Sequence, residues 1–381
     1  MRTRPHLARR ALAGLLAAIV LALLGGCADT TSAQSGTWSA PLQETLNDWA
    51  HRSGAPAVVL SVQGPQGRWT RAAGTLSRGQ GRAVTPDDQF RVASITKTFV
   101  AVVTLQLVAE GKLGMDDPLA RYLPQFPRAE RITLRHLLNH TSGVPDYGQV
   151  EGFARQRFTE RDRTWSVTEV LNLAAQREPE FDPGASYAYS NTDYVLLGEV
   201  IRVATDSTWP VQVRRRILDP LNLTRTYVAG AEPGPRVVPG YFDADNDGAQ
   251  ENVETTATWP ALDSTEGAAG AVVSTADDLV TFADALFHGR LLDAAMLAAM
   301  TEENSHHPRN SNYGLGLEIE RRDYRTTTWG HGGFLPGFRS ALRYLPESDV
   351  IVVALVNDSL ADASDLAELA FRAVARSSAK R

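Results

Sequence analysis

The chain has 381 residues, 43% hydrophobic and 22% charged, which is an ordinary globular composition in a chain long enough for a large core or two lobes. The formal net charge is −6, and because the first 26 residues contain four arginines and no acidic residue, the remainder is more acidic still. An acidic body of this kind argues against nucleic acid as a partner.

The N-terminus has the pattern of an export signal. Four arginines precede an apolar run over residues 11–24, which is shorter than the ~20 apolar residues needed to span a bilayer. The run ends in LLGGC and resembles a bacterial lipobox, so we expect residues 1–26 to be a lipoprotein signal peptide and Cys27 to be lipidated. The alternative is a plain secretory signal. Cys27 is the only cysteine, which excludes an intrachain disulfide.

Residues 27–40 are mostly small and polar, and we interpret them as a tether between a lipid anchor and a folded domain. The folded domain is expected at residues 41–378. Together these features predict an exported lipoprotein of the cell envelope, held by Cys27 on the periplasmic or extracytoplasmic face of a membrane.

The elements predicted after the tether place strands near both ends of the chain and helices between them. PLQETLNDWAHRSG predicts a helix ending at Gly54, and ADASDLAELAFRAVAR predicts a closing amphipathic helix. Six strands are predicted: PAVVLSVQG, GRWTRAAG, NYGLGLEIE, TTTWGHGG, FRSALRYLP and DVIVVALVND. Residues 131–213 are mainly helical, with joints rich in proline and glycine. Strands split between the termini around a helical block indicate an α+β fold.

One lysine stands out in the stretch FRVASITKTFV. The chain has only three lysines among its 38 basic residues, and Lys97 lies in the first turn of a predicted apolar helix that ends at Gly111. The helix dipole disfavours a cation there, and a buried lysine, unlike arginine, can lose its proton near neutral pH. Ser94 lies three residues earlier on the same face, where it is either a helix N-cap or a nucleophile activated by Lys97.

Two further segments extend this pattern. SYAYSNTDYVLLGEVIRVA carries Tyr189 and Asn191 at the start of another apolar helix, and TTTWGHGGFLPGFRS carries His331 on a predicted strand. Ser-x-x-Lys, then Tyr-x-Asn, then a strand with [His/Lys]-x-Gly resembles the penicillin-recognising serine hydrolases, most closely the branch of class C β-lactamases and DD-peptidases. LRHLLNHTSGVPDY, GAAGAVVSTADDLVTFADALF and WGHGGFLPGF resemble the same family, and the resemblance covers residues 42–375.

This resemblance implies a two-lobed fold of the β-lactamase/DD-peptidase type. An antiparallel sheet flanked by helices is expected to form an α/β lobe from residues 41–125 and 265–378, and residues 126–264 an inserted, mainly helical lobe. The active site would lie in the cleft between the lobes. The resemblance implies no cofactor and no metal.

The resemblance also implies a role for each matching residue. Ser94 would be the nucleophile that forms an acyl-enzyme, and Lys97 would either take its proton or hold Tyr189 as a phenolate. Tyr189 would then act as base toward Ser94 and as acid toward the leaving group, which requires the neighbouring lysine to lower its pKa from about 10. Asn191 would orient Lys97 and the acyl side chain. The backbone N–H groups of Ser94 and Phe334 would form the oxyanion hole.

The strand that carries the third motif departs from the family pattern. Class C β-lactamases carry Lys-Thr-Gly and DD-peptidases His-Thr-Gly, typically followed by a hydroxyl residue, and these groups help to hold the substrate's carboxylate. Here His331, Gly332 and Gly333 are followed by Phe334, so both hydroxyls are absent and the cation is a histidine that is largely neutral at pH 7. His331, Gly332 and Gly333 are still expected to bind or orient the substrate.

The expected function is an acyl-enzyme-forming serine hydrolase that cleaves amide or ester bonds in a small-molecule or peptidoglycan-derived substrate, as β-lactamases and D-alanyl-D-alanine carboxypeptidases do. A family VIII-type carboxylesterase or a D-amino-acid peptidase is the alternative, and small neutral esters are expected to outperform penicillins. Arg339 and Arg343 are candidates for a replacement cation. A further hypothesis is a non-catalytic envelope lipoprotein that binds peptidoglycan or a protein partner.

Three patterns that suggest metal sites have simpler interpretations. DADNDGAQENVE, residues 243–254, matches the spacing of a calcium loop, but no helix is predicted on either side, which favours an acidic surface loop. His136 and His140 have the i, i+4 spacing of zinc ligands but no nearby third ligand, so structural roles are expected. His306 and His307 lie in a polar loop and are expected to be exposed.

Overall fold

The computed structural model describes residues 37–78, 80–234, 237–243, 251–253, 259–304, 311–321 and 326–378. The predicted signal peptide, Cys27 and most of the tether lie outside these ranges, as do most of the calcium-like loop and both His306 and His307. Among the described residues, no helix combines the length and hydrophobicity that crossing a membrane requires.

An eight-stranded antiparallel sheet forms the centre of the molecule. The strands of this sheet and of two smaller sheets are, in chain order, β1 (Ala57–Gly64), β2 (Gly67–Ser77), β3 (Gln80–Ala83), β4 (Phe90–Arg91), β5 (Tyr227–Val228), β6 (Gly240–Phe242), β7 (Glu251–Val253), β8 (Val272–Ser274), β9 (Ser311–Tyr313), β10 (Glu318–Arg321), β11 (Thr327–Leu335), β12 (Phe338–Leu345) and β13 (Val350–Val356). The large sheet has the order β3-β2-β1-β13-β12-β11-β10-β9, and the small sheets have the orders β4-β8-β5 and β6-β7. The central strands β1 and β13 come from opposite ends of the chain, with Val58 opposite Val356.

Helices cover both faces of the large sheet. They are α1 (Ser39–Ser53), α2 (Ile95–Ala109), α3 (Leu134–Leu138), α4 (Phe153–Thr159), α5 (Val167–Ala175), α6 (Asn191–Thr205), α7 (Trp209–Val213), α8 (Pro260–Gly270), α9 (Ala276–Phe287), α10 (Ala294–Met300) and α11 (Ala363–Ser378). Short 3₁₀ segments lie at Leu119–Arg121 and Tyr147–Gln149, and a π-helical turn lies at Arg214–Leu218. Helices α1 and α11 pack on one face, and α2 and α9 pack on the other.

The central strands contribute side chains to two separate apolar clusters. In β13, Val352 and Ala354 belong to the outer cluster beneath α1 and α11, whereas Val353 and Leu355 belong to the larger inner cluster. All seven residues of β13 are buried, as expected for a strand covered on both faces. The inner cluster continues through α2 into helices α3 to α8, so α2 lies between the large sheet and these helices.

The predicted α+β class is confirmed, and all six predicted strands are present. The segment NYGLGLEIE forms two strands rather than one, because the chain bends tightly against α2 between β9 and β10. Gly316 has a φ of 75°, and a Cβ there would lie 2.4 Å from the Cβ of Ala101. Strand β3 and the short strands β5 to β8 were not predicted. The lobe boundaries at residues 126 and 264 stay a prediction.

Candidate active site

The predicted nucleophile lies on a strained turn between β4 and α2. Ala93 has a φ of 51°, in the left-handed region that non-glycine residues rarely adopt. Ser94 follows at the N-cap position of α2, yet its side chain makes no capping hydrogen bond. The hydroxyl instead meets Lys97 and Tyr189, so helix capping is not the role of this serine side chain.

Lys97 lies one turn into α2 and is 0% exposed. Its Nζ donates hydrogen bonds to Ser94 Oγ at 3.1 Å, to Asn191 Oδ1 at 2.8 Å and to the Ala269 carbonyl oxygen at 2.8 Å, which uses all three ammonium donors. Burial lowers the pKa of Lys97 to about 8, against the opposing effect of nearby carboxylates. A lysine with this pKa loses its proton close to neutral pH, as a general base must.

Tyr189 enters the site from the segment that precedes α6. Its hydroxyl donates a hydrogen bond to Ser94 Oγ at 2.8 Å. Lys97 Nζ lies over the tyrosine ring, 4.8 Å from its centroid. Burial raises the pKa of Tyr189 well above 10, so the expectation that the lysine lowers this pKa is wrong. The resting site therefore contains a phenol rather than a phenolate.

Asn191 begins α6 and joins Lys97 to a carboxylate that no sequence pattern singled out. Asn191 Nδ2 donates a hydrogen bond to Asp146 Oδ2 at 3.1 Å, while its Oδ1 faces Lys97. Asp146 Oδ1 accepts a hydrogen bond from the Gly148 backbone N–H at 2.9 Å. Asp146 lies within LRHLLNHTSGVPDY, a stretch noted for its family resemblance and not for a contact with Asn191.

His331 lies on β11 with its side chain 1% exposed. Nδ1 donates a hydrogen bond to the Gly332 carbonyl oxygen at 2.6 Å, which leaves Nε2 to accept one from the Tyr313 hydroxyl at 2.9 Å. This arrangement fits the neutral tautomer with its proton on Nδ1. Burial lowers the pKa of His331 to about 4. His331 therefore supports the aromatic wall of the site and supplies no cation to a substrate at neutral pH.

The half of β11 that follows Gly330 has a free edge beside Ser94, because β10 pairs only with the first four residues of β11. On this edge the Gly332 N–H donates a hydrogen bond to Glu318 Oε2 at 2.9 Å. N–H groups two residues apart on a strand point to the same edge, so the Phe334 N–H faces it as well. The position of Phe334 is therefore compatible with the oxyanion-hole role that the sequence predicts.

Glu318 is the main residue that the sequence patterns missed at this edge. Its Oε2 also accepts a hydrogen bond from Arg343 Nη2 at 2.7 Å, and Glu320 Oε1 accepts one from the same nitrogen at 2.6 Å. Buried Arg343 is thus committed to two carboxylates. The guanidinium of Arg339 instead lies over the ring of Phe334, 4.5 Å from the ring centroid. Of the two candidate arginines, only Arg339 has no carboxylate partner among the described residues.

These groups line one cleft with a volume of about 650 Å³. Asp146, Asn191 and Glu266 lie on one wall of it, and the free edge of β11 lies on another. Five lining residues are acidic and three are arginines, and two of those arginines are already paired with carboxylates. The cleft therefore presents an excess of negative charge to a ligand.

The two histidines with zinc-like spacing have structural partners, as expected. His136 Nδ1 accepts a hydrogen bond from the Thr133 backbone N–H and completes the N-terminal capping box of α3. His140 is fully buried, with Nδ1 2.9 Å from Asp193 Oδ2. In the described ranges, no group of three or more His, Cys, Asp or Glu side chains could hold a metal ion.

Comparison with known proteins decides the family. The family model described as Beta-lactamase matches residues 42–376. The chain belongs to this family. With the named activities of its relatives, this membership makes it a serine hydrolase of amide or ester bonds. The family also sets aside the hypothesis of a non-catalytic binding protein.

Relatives within the family have several named activities. Penicillin-binding protein 4* of Bacillus subtilis is 27% identical over 320 residues, which cover 82% of this chain and 69% of that protein. Esterase EstB of Burkholderia gladioli is 35% identical over 199 residues, covering 49% of this chain and 50% of the esterase.

Two solved structures are similar over most of the chain. A D-stereospecific amidohydrolase from Streptomyces is 34% identical with a TM-score of 0.75, covering 86% of this chain and 97% of that one. The D-amino acid amidase of Ochrobactrum anthropi, in complex with L-phenylalanine amide, is 28% identical with a TM-score of 0.80, covering 89% and 99%. The family match over residues 42–376 includes Ser94, Lys97, Tyr189 and Asn191.

Proposed function

We propose that the protein hydrolyses neutral amides and esters through an acyl-enzyme on Ser94, and that a carboxylate beside the scissile bond makes a substrate poor. The observation that carries this proposal is the hydrogen bond from the Gly332 N–H of β11 to the Glu318 carboxylate. In the β-lactamases and DD-peptidases that the chain resembles, the strand equivalent to β11 helps to hold the substrate's carboxylate. Two carboxylates about 4 Å apart repel each other by roughly 4 kcal/mol at an effective dielectric constant of 20. Arg343 offsets only part of that repulsion, because its single positive charge is shared between Glu318 and Glu320.

In the acylation step, neutral Lys97 takes the proton of the Ser94 hydroxyl as Oγ attacks the substrate carbonyl carbon. The backbone N–H groups of Ser94 and Phe334 stabilise the oxyanion that forms. Tyr189 then donates its phenol proton to the departing nitrogen or oxygen as the bond to the carbonyl carbon breaks. The low pKa of Lys97 and the high pKa of Tyr189 favour this division of roles.

Deacylation reverses these proton transfers. The phenolate left on Tyr189 removes a proton from water, and the resulting hydroxide attacks the acyl carbon. Lys97, now an ammonium, returns its proton to Ser94 Oγ as the ester bond breaks, which restores all three groups. The charged Lys97, whose Nζ lies over the ring of Tyr189, stabilises the transient phenolate between acylation and deacylation.

The test compares p-nitrophenyl butyrate with nitrocefin, an ester without a carboxylate and a β-lactam with one, with Ser94→Ala as the inactive control. We expect wild-type kcat/KM to favour the ester. We expect Glu318→Gln to raise the nitrocefin-to-ester ratio by at least about tenfold, since the full repulsion would correspond to roughly a thousandfold and Arg343 offsets part of it. Glu320→Gln is the matched control, because Glu320 shares Arg343 but does not bind Gly332. A wild-type ratio strongly in favour of nitrocefin would overturn the proposal.

Three of the relatives bear on the leaving group. Similarity to the D-stereospecific amidohydrolase and the D-amino acid amidase supports an amide substrate, and similarity to the esterase supports an ester. In a second candidate function, the substrate carries a carboxylate, as penicillins do, and Arg339 binds that carboxylate. In that case Arg339→Ala would weaken nitrocefin turnover selectively, whereas our proposal expects the ratio to stay unchanged.

We also propose that the enzyme is exported and anchored to a membrane of the cell envelope through Cys27. The support is the arginine-rich start, the short apolar run and the single cysteine placed at its end. We expect the expressed protein to partition with membranes and Cys27→Ser to release a soluble or unprocessed form. A mature N-terminus found downstream of Cys27 by mass spectrometry would contradict the anchor.

A further inference from the structure

The amide of Asn191 is held between two groups of opposite charge. Its oxygen accepts a hydrogen bond from Lys97 Nζ at 2.8 Å, and its nitrogen donates one to Asp146 Oδ2 at 3.1 Å. A carboxylate without a proton accepts hydrogen bonds only, so Asp146 can bind the nitrogen of the amide and not its oxygen. The contact therefore determines which end of the amide faces the lysine.

Asp146 is itself fixed in place. Its Oδ1 accepts the Gly148 backbone N–H at 2.9 Å, which caps the 3₁₀ turn Tyr147–Gln149. Thr192 ties this turn to α6, because its hydroxyl donates to the Pro145 carbonyl oxygen at 2.7 Å and accepts from the Tyr147 N–H at 3.0 Å. Asp146 and Asn191 are thus held on two elements that are bound directly to each other.

We propose that Asp146 is a positioning residue for the hydrolysis reaction: it fixes the Asn191 amide with its oxygen toward Lys97 and contributes the negative charge that keeps the lysine next to Ser94. The inference rests on the proposed function, in which Lys97 is the base. Asp146 does not contact Ser94, so it acts through Asn191 and through its charge.

Four carboxylates act on the charge of Lys97, and Asp146 is distinct among them. Glu266 of α8 is paired with Arg157, Asp193 of α6 with His140 and Ser142, and Glu318 of β10 with Arg343. The Asp146 carboxylate has no ion-pair partner within 4 Å among the described side chains. Its two bonds come from neutral donors, a backbone N–H and an amide. Its charge therefore acts on Lys97 without local neutralisation.

Asp146→Asn tests this assignment with almost no change in shape. The new side chain can keep its oxygen on the Gly148 N–H, but its nitrogen then faces the Asn191 nitrogen and forces that amide to turn. Lys97 would meet an NH₂ group and also lose a nearby negative charge. Both changes disfavour the ammonium, so the pKa of Lys97 falls and the neutral form appears at lower pH.

We expect the acid limb of the kcat/KM profile to move to lower pH by roughly one unit in Asp146→Asn. We expect kcat on the plateau to fall about tenfold to a hundredfold, because the base is no longer held in line with Ser94. The matched control is Asp293→Asn, since Asp293 Oδ1 caps α10 through the Met296 N–H at 2.8 Å and has the same kind of structural role far from the cleft.

The double variant Asp146→Asn/Asn191→Asp exchanges the two side chains and tests whether the kcat lost in Asp146→Asn can be restored. An aspartate at 191 offers oxygen to Lys97 and accepts from the amide at 146, so we expect most of the lost kcat to return. An unchanged pH profile in Asp146→Asn, or a loss that follows the melting temperature and is not rescued by the exchange, would overturn the inference. Failure of the proposed function is distinguishable, because it would appear in wild type as a kcat/KM that favours nitrocefin over the ester, whereas the inference is judged by the pH profile and the rescue in the variants.

Discussion

Gly333 of β11 lies directly against the carbonyl of Val92, so that a Cβ at Gly333 would be 2.4 Å from the Val92 oxygen and 2.3 Å from Ser340 Oγ. This close approach brings the strand edge beside the turn that carries Ser94. The neighbouring Gly332 is different, because a Cβ there would meet nothing nearer than Arg343 Nη2 at 3.5 Å. Of the two adjacent glycines, only Gly333 is required by packing.

Gly333→Ala is therefore expected to destabilise the protein by about 1–3 kcal/mol, as for overpacking of a tight contact, and to displace the Phe334 N–H from the site. Gly332→Ala is the matched control and should stay within about 0.5 kcal/mol of wild type. Urea unfolding and ester kcat/KM of both variants provide the comparison. Equal behaviour of the two variants would contradict the distinction.

Lys97→Arg keeps the positive charge but should still abolish acylation. A guanidinium cannot lose its proton in a protein, and it does not fit a site built from three acceptors around one nitrogen. We expect a loss of at least about a hundredfold in the rate at which a fluorophosphonate labels Ser94. Labelling at a rate near that of wild type would show that Lys97 is structural.

The pH dependence of kcat/KM should report the proton on Lys97. The lysine acts as a base only when neutral, and its pKa is lowered to about 8, so activity should rise with pH through that value. At pH 7 only about one-tenth of the enzyme would hold the neutral form. A profile measured with p-nitrophenyl butyrate between pH 5 and about pH 9.5 is suitable, corrected for spontaneous hydrolysis. A rising limb near pH 6.5 would instead indicate a histidine.

Tyr189→Phe should separate amide from ester hydrolysis. The phenol donates the proton that an amine leaving group requires, whereas p-nitrophenolate departs without one. We therefore expect kcat for an amino acid amide to fall by about a hundredfold or more, and acylation by the p-nitrophenyl ester to fall much less. Burst kinetics with the ester isolate the acylation step. Equal losses for both substrates would indicate that Tyr189 mainly positions Ser94.

Much of the fold could be predicted, because its elements depend on local patterns. Gly54 ends α1 in the left-handed conformation, and the apolar runs of β1 and β13 became buried central strands. Ser94, Lys97, Tyr189 and Asn191 could be recognised by spacing and residue type alone, and the structure brings all four into hydrogen-bonded contact.

The residues that modify the site could not be found in the same way. Glu318 reaches Gly332 only because the chain bends at Gly316, and that bend depends on how closely it packs against Ala101. Asp146 contacts Asn191 across 45 residues of sequence. The protonation of Tyr189 follows from burial, which depends on the tertiary packing around it.

The pairing of β1 with β13 constrains when the protein can fold. Val58 and Val356 are opposite each other at the centre of the sheet, so this pairing cannot form until nearly the whole chain has been synthesised. Long-range strand pairing of this kind is slow, and until β13 arrives β1 presents an unpaired, apolar edge. A chain truncated before β13 would therefore be expected to aggregate rather than to fold into a smaller enzyme.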